Sequence, residues 1–380
     1  MSLFKVITLV GTRPELIKLS LTIGELDRTV SHVLVHTGQN HDFELNEIFF
    51  RDLGIRKPDH FLNAARPTAA ATIARVIESF DEVLEREKPD AMLLLGDTNS
   101  CLGIIVAKRR KIPIFHMEAG NRCFDDRVPE EVNRRIVDHT SDVNLPYTEH
   151  ARRYLIAEGF PAERIIKTGS PMTEVLKHFR ARIDASDALK THDLKRGHYF
   201  LVSAHREENV DNPERLSALL EALGAATAKY QVPALFSTHP RTRLRLEALG
   251  GIATASSIRF VKPLGFFDYV RLQMDARCVI SDSGTLTEES AILNFPGIMI
   301  RESHERPEGM DEGTVVMTDL RFDALSRAID IVCRHADLPR RIPSDYLPDD
   351  VSRKVVRIIL SYTDFINRTV WSKGSTAPVL

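Results

Sequence analysis

Short β-branched runs closed by polar turns alternate along this chain with longer stretches of helical spacing. Lys5 to Val10 is such a run. It ends in Gly11, and Thr12 to Lys18 opens a helix behind it. Ser31 to His36 is a second strand, running into TGQNHDFE. Thr68 to Glu87 repeats Ala, Ile and Val at helical spacing. Ala91 to Leu95 is a fully apolar strand before GDTNS, and a helix over Cys101 to Arg109 covers it. Ile112 to Phe115 is the next strand and Pro129 the next helix start. A short strand over Val143 to Pro146, a helix over Ala151 to Glu158 and an extended Ile165 to Ser170 leading into a helix follow. Strands alternating with helices predict a parallel sheet covered on both faces.

From Arg180 to Gly197 the pattern breaks into a polar, charged stretch, RARIDASDALKTHDLKRG, read as the passage between two domains. A second series of strands then begins, each ending in polar or ionisable residues. Tyr199 to Ser203 ends in AHREENVD, Pro233 to Ser237 in THPRT, and Arg259 to Val261 in KPLGF. Cys278 to Ser281 ends in DSGTLTEES, and Gly297 to Ile300 in RESHERPEG. A tail helix, Val351 to Phe365, is expected to cross back onto the first domain, and Gly374 to Leu380 reads as frayed. The domains expected are residues 1–175 with 352–380, and residues 176–351. Two doubly wound α/β domains with ionisable strand ends imply a cleft for a ligand with two chemically different halves.

Composition narrows the function classes. With 380 residues, 43% hydrophobic and 27% charged, the chain has an ordinary soluble balance and is too long for one core. A formal charge of -2 makes no electrostatic case for nucleic acid or membrane surfaces, so an anionic ligand needs a local basic pocket. The opening MSLFKVITLVGTRPE reads as strand and turn, not as a signal peptide, and no apolar run approaches a membrane span. Cys101, Cys123, Cys278 and Cys333 are scattered, form no CxxC, and suit a reducing cytoplasm. The first turn reads GTRPE, not GxGxxG, which argues against a nicotinamide cofactor. Neither a P-loop, a GxSxG nor a metal-ligand cluster is present, and the basic run Lys108 to Lys111 reads as a solvated helix end.

Candidate chemistry gathers around HMEAGNRCFDDRVPEEVNRR, residues 116–135, directly behind a strand. A carboxylate such as Glu118 at a buried strand end is half desolvated and suited to acid/base work; an acidic surface loop is the bland alternative. Asp97 occupies the same kind of position. In the second half, Asp282-Ser283-Gly284-Thr285 puts a good N-cap, Ser283, and a glycine at a helix start, an arrangement that favours phosphate. Glu289 lies further along that helix, where it is expected to meet ribose hydroxyls. A plain cap with acidic residues opposing the helix dipole accounts for the motif equally well. His205, Arg206 and His239 each follow a strand, with Arg301 and Arg306 adding positive charge nearby. Arg13, Lys18, His205, Arg206, His239 and a helix N-terminus together make a candidate diphosphate site. Asp97, Glu118, Glu130 and Glu131 would face it, which suggests chemistry at carbon with the diphosphate as leaving group.

These motifs carry a resemblance over about residues 3 to 365. In order they are Gly11-Thr12-Arg13-Pro14-Glu15 with Lys18, Thr37-Gly38-Gln39, Gly96-Asp97-Thr98, His116 to Gly120, and Pro129-Glu130-Glu131 with Asn133-Arg134. His205-Arg206, His239-Pro240, Asp282-Ser283-Gly284 and Glu305-Arg306-Pro307-Glu308 complete the series. The whole resembles the non-hydrolysing UDP-N-acetylglucosamine 2-epimerase family. The resemblance implies a glycosyltransferase-B-like fold of two Rossmann-like domains, a UDP-sugar substrate, no cofactor and a homodimer. It implies acid/base roles for Asp97, Glu118 and Glu130, and stabilisation of the departing diphosphate by His205 and Arg13. Lys18, Arg206, His239, Ser283, Gly284, Glu289 and Arg306 would bind substrate. The reaction implied is elimination of UDP and its re-addition after C2 is reprotonated from the other face.

Several positions depart from the common family pattern. Asn121-Arg122-Cys123 stands where Leu-Arg is usual, Gly284-Thr285-Leu286-Thr287 where Gly-Gly-Ile-Gln is usual, and Asn40-His41 follows Gln39. With Arg301-Glu302-Ser303-His304 these look more like the branch that forms UDP-N-acetyl-L-fucosamine from UDP-2-acetamido-2,6-dideoxy-L-talose, for bacterial surface polysaccharide. Asn40 falls where some members bind a second, activating UDP-N-acetylglucosamine, so that regulation is not carried over. The alternatives are a UDP-N-acetylglucosamine 2-epimerase giving UDP-N-acetylmannosamine, a hydrolysing epimerase, a retaining glycosyltransferase, and a nucleotide-sugar-binding protein. The density of carboxylates after Asp97 speaks against the last two.

Overall fold

The computed structural model describes residues 4–39, 49–249, 256–334, 336 and 338–373; Asn40-His41 and the Gly374–Leu380 tail lie outside them. The chain divides into two compact units, residues 1–177 with 345–380, and residues 178–344.

The first unit is built on β1 (Lys5–Val10), β2 (Ser31–His36), β3 (His60–Phe61), β4 (Ala91–Leu95), β5 (Ile114–Met117) and β6 (Val143–Leu145), in the spatial order β3-β2-β1-β4-β5-β6. Every neighbouring pair is parallel, and Leu9 lies level with Val35 on one side and Leu94 on the other. All five residues of β4 are buried, as a parallel strand covered on both faces must be. The tail helix, Val351–Thr369, packs on the Arg13–Thr29 helix and buries Val351, Val355, Val356, Ile359 and Ile366.

The second unit repeats the plan with β7 (Phe200–Ser203), β8 (Ala234–Ser237), β9 (Ile258–Val261), β10 (Cys278–Ser281), β11 (Gly297–Met299) and β12 (Val315–Met317), ordered β12-β11-β10-β7-β8-β9 and again all parallel. Counted within each unit, both sheets have the Rossmann order 3-2-1-4-5-6. Both are therefore doubly wound, with topological switch points between β1 and β4 and between β7 and β10.

Four local expectations need correction. The strand expected at Ile112–Phe115 is Ile114–Met117, so His116 is a fully buried strand residue and not the start of a loop. Arg180–Gly197 is not a passage between domains. It forms two short helices, Arg180–Asp184 and Ala188–Thr191, which bury Ile183 and Ala188 in the second unit; sparse apolar residues were enough to hold a mostly polar segment. Lys108 to Lys111 is not simply solvated: Lys108 pairs with Asp142 and sits over the Trp371 ring, and Arg110 pairs with Asp81 and Glu85. The helix expected from Cys101 begins as a 3-10 turn, Asn99–Gly103. The edge strands β3 and β12 are too short to show a period in sequence.

Candidate functional site

At the switch point of the first unit, the chain leaves β1 through Gly11 and leaves β4 through Gly96 and Asp97. Gly11 has no room for a side chain: a Cβ there would run into Ser100 and the Thr37 hydroxyl. Those two hydroxyls are themselves bonded at 2.6 Å. The loop after β1 is closed by Glu15, whose carboxylate accepts the N–H groups of Gly11 and Thr12 and the Thr98 hydroxyl. Burial pushes the Glu15 carboxyl up to about 7, against the lowering effect of those bonds. Arg13 lies half-buried with its guanidinium 5.5 Å from the centre of the Phe49 ring.

Asp97 and Glu118 each meet a cation from their own unit. Arg134 places Nε and Nη2 at 2.8 and 2.7 Å from one Asp97 oxygen, and Asn133 donates to the Asp97 carbonyl at 3.0 Å. Lys18 donates to both oxygens of Glu118, at 2.9 and 2.7 Å. The Lys18 ammonium is thus directed at a carboxylate of its own unit, where sequence reasoning had set it against phosphate. Glu118 stands at φ 65° and Gly120 at φ 80°, a left-handed turn that takes the chain off the end of β5.

Asp138 fixes that turn. It accepts from His116 Nδ1 at 2.9 Å, from the Gly120 amide and from Arg122 Nη1 at 2.7 Å. The other ring nitrogen of His116 contacts the Gly96 carbonyl at 2.8 Å. One buried network therefore holds the Glu118 loop and the Asp97 loop together. Burial would raise the Asp138 carboxyl, but His116 and Arg122 hold it below the usual carboxylate range. Glu131, expected to face substrate, has another task. It is fully buried, accepts the Cys123 and Phe124 amides, and meets Arg134 and Arg135. Despite its burial, those contacts keep its carboxyl low. Glu130, its neighbour in the first turn of the Pro129–Thr140 helix, is half-buried.

At the switch point of the second unit, fully buried Asp282 ties two loops. It accepts the backbone N–H groups of His205 and Arg206 and the Asn209 amide. His205 and His239 lie side by side, ring centres 5.8 Å apart. His239 caps the Pro240–Ala248 helix by accepting from the Arg241 amide. Ser283 is not the cap of the helix after β10. That helix is Leu286–Leu293, its cap residue Thr285 is in helical conformation, and Ser283 bonds the Thr285 hydroxyl instead. Around Gly284 three arginines meet two glutamates. Arg306 donates to the Gly284 carbonyl at 2.9 Å and pairs with Glu288 at 3.1 Å. Arg301 pairs with Glu305 at 2.7 Å, and Arg206 lies 3.6 Å from Glu305. A Cβ on Gly284 would strike Glu305. Arg301 Nε and Nη2 are buried without a hydrogen-bond partner among the described residues, the kind of donor an incoming anion would satisfy. Glu289 is buried and accepts from Gln273 at 2.6 Å.

Sequence reasoning gave no role to Arg134, Asp138, Glu15, Asp282, Glu288 or Glu305. A signal existed for two of them. Glu131, Arg134 and Asp138 recur at i, i+3 and i+7, which puts charge on one face of a helix that should have been apolar.

Comparison with known proteins agrees with this geometry. Residues 24–360 match the family model for UDP-N-acetylglucosamine 2-epimerase. A solved UDP-N-acetylglucosamine 2-epimerase from Rickettsia bellii is 53% identical, covers 98% of this chain and 100% of its own, and superposes with a TM-score of 0.90. The Methanocaldococcus jannaschii enzyme, solved with UDP-GlcNAc and UDP, is 31% identical over 94% of this chain and 99% of its own, with a TM-score of 0.88. The UDP-2,3-diacetamido-2,3-dideoxy-D-glucuronate 2-epimerase of Pseudomonas aeruginosa is 33% identical over 84% of this chain and 90% of its own length.

Proposed function

The chain belongs to the UDP-N-acetylglucosamine 2-epimerase family, and on that premise we propose that it inverts C2 of a UDP-2-acetamido sugar by expelling UDP and taking it back. It is an isomerase, a nucleotide-sugar 2-epimerase of glycosyltransferase-B-like fold. The observation that carries the mechanism is the pair Asp97 and Glu118, two carboxylates at strand ends of one sheet, each oriented by its own cation.

The C2 proton is not next to a carbonyl, so simple deprotonation is too costly. As the anomeric C–O bond breaks, its electron pair leaves with UDP and positive charge builds at C1, which acidifies C2–H. A carboxylate takes that proton, the C2–H electron pair becomes the C1–C2 double bond, and a 2-acetamidoglycal results. Protonation at the opposite face of C2 and return of UDP to C1 give the epimer. Asp97, Glu118 and Glu130 are the acid/base groups. Arg13 and His205 stabilise the developing charge on the diphosphate. Arg206, His239, Ser283, Gly284 and Arg306 bind UDP, and Glu289 takes the ribose. Lys18 acts through Glu118.

For the sugar, the proposed substrate is UDP-2-acetamido-2,6-dideoxy-L-talose and the product UDP-N-acetyl-L-fucosamine, for bacterial surface polysaccharide. Of the departures from the family pattern, Asn121 supports this most directly, since its amide reaches Glu118 at 3.5 Å; Arg122 is turned into the Asp138 network. The second reading is UDP-N-acetylglucosamine, the sugar in the names of the Rickettsia and Methanocaldococcus relatives. We further propose a cytoplasmic homodimer. Supporting it, Val132 and Ile136 sit exposed one turn apart on the Pro129–Thr140 helix, and no helix among the described residues is long and apolar enough to cross a membrane.

Incubating each UDP-sugar with the protein in heavy water and following C2 by proton NMR tests the reading. The expected outcome is deuterium at C2 of the product from the L-talose substrate. Turnover with C2–H retained overturns the mechanism, and faster turnover of UDP-N-acetylglucosamine overturns the assigned sugar.

A further inference from the structure

The two oxygens of Glu15 serve two different loops of the first unit. Oε2 accepts the Gly11 N–H at 2.5 Å and the Thr12 N–H at 3.2 Å. Oε1 accepts the hydroxyl of Thr98, 83 residues away, at 2.7 Å. The side chain is 2% exposed, and Thr98 is covalently next to Asp97.

We propose that Glu15 is a positioning residue for Asp97: one carboxylate ties the loop carrying Arg13 to the loop carrying Asp97, and so sets where the acid/base group stands. The loop after β4 is then held from two sides. Arg134 and Asn133 hold it from the Pro129–Thr140 helix, and Glu15 holds it from the Arg13–Thr29 helix. Cys101, three residues beyond Thr98, bonds the same loop through the Thr98 hydroxyl and the Leu95 carbonyl. Its thiol is pushed up first by burial and then by the charges of both Glu15 and Asp97.

An ordinary structural duty competes with this role. Thr12 and Glu15 form a capping box at the start of the helix, and a capping box needs only Oε2. The two duties separate at Thr98, which belongs to the tie and not to the capping box. Glu15→Gln keeps an acceptor for Gly11 and Thr12 and offers Thr98 an NH2 donor that the hydroxyl can accept, whereas Thr98→Val removes the tie and leaves the capping box whole. A residue that only caps tolerates that change; a residue that positions Asp97 does not.

The inference rests on Asp97 being an acid/base group of the epimerase, so Asp97→Asn is assayed beside the other variants. The measurements are kcat and KM for C2 exchange in heavy water, UDP affinity by calorimetry, and Tm. Asp97→Asn is expected to abolish exchange while UDP still binds. Thr98→Val should lower kcat by roughly 10–100-fold, the scale of a small misplacement of a reacting group, and Glu15→Gln, which can still bond Thr98, by less. KM and UDP affinity should stay near wild type, and Tm should not fall. The double variant should be no slower than the slower single, and Thr98→Ser, which keeps the hydroxyl, should recover most of the rate. Thr98→Val at wild-type kcat, losses that multiply in the double variant, or a loss that tracks a fallen Tm overturns the positioning role while leaving the epimerase reading in place. Exchange by Asp97→Asn at the wild-type rate removes Asp97 from the mechanism and this inference with it.

Discussion

The two units share one strand order and use it with opposite charge. At the strand ends of the first unit the acids Asp97 and Glu118 are each paired with a more buried cation, Arg134 and Lys18; in the second the cationic groups Arg206 and His205 are each paired with a more buried acid, Glu305 and Asp282. Exposure shows the direction within these four pairs, while Arg301, 1% exposed against 7% for Glu305, is a cation buried below its acid. The Asp97 side chain is 26% exposed against 4% for Arg134, and Glu118 12% against 4% for Lys18. In the second unit Arg206 is 16% exposed against 7% for Glu305, and His205 42% against 0% for Asp282. A charge at the end of a buried strand needs a partner beneath it. An outward acid therefore calls for a buried cation behind it, and an outward cation for a buried acid.

Lys18 gives the most severe test of that comparison. Lys18→Met should lower kcat by roughly 10²–10⁴-fold, the usual worth of an acid/base group, with little change in UDP affinity. UDP affinity lost with kcat intact would make Lys18 a phosphate ligand and break the comparison.

A smaller effect, about 3 kcal/mol, is expected from pH on the first unit. Burial raises Glu15 from 4.5 to about 7 and lowers His36 from 6.5 to about 4. The folded state therefore holds the Glu15 proton that the unfolded chain releases, and this stability is lost as pH rises from about 4.5 to 7. His36 works the other way: its stability is present above 6.5 and is lost as pH falls toward 4. Each shift amounts to about 3 kcal/mol, so the two nearly cancel. Chemical denaturation of Glu15→Gln should reveal the His36 slope alone, with stability rising between pH 4 and 6.5. A flat profile for that variant would contradict the His36 assignment, and a wild-type profile as steep as the variant's would contradict that of Glu15.

The smallest effect sharpens the second unit. Arg306→Lys loses the fork between Gly284 and Glu288, and UDP affinity by calorimetry should weaken by about 1.5–3 kcal/mol, with kcat at saturating substrate little changed.

Legibility followed the length of each apolar run. β1, β4 and β10 were plain in the sequence because a strand buried on both faces is continuously apolar. β5 was placed two residues early because its last two residues, His116 and Met117, include a histidine that looks like loop and is core. The outward groups Asp97, Glu118, His205 and Arg206 could be picked out because strand ends can be counted. Their holders could not. Arg134, Asp138, Asp282 and Glu305 come from distant sequence, and nothing local distinguishes a buried charge from a solvated one. Glu131 was misread for that reason: its place beside Glu130 says nothing of the two amides it accepts.

The first unit is discontinuous, closed by the Val351–Thr369 helix packing on Arg13–Thr29, and this bears on synthesis. The first unit begins first on the ribosome and is finished last. At ~5–20 residues per second, residues 178–344 delay its final helix by roughly 10–30 s, during which the Arg13–Thr29 helix lacks the helix that packs on it. The second unit, continuous in sequence, can fold in that interval. A chain cut short before residue 351 should therefore yield a second unit that folds and a first unit that does not.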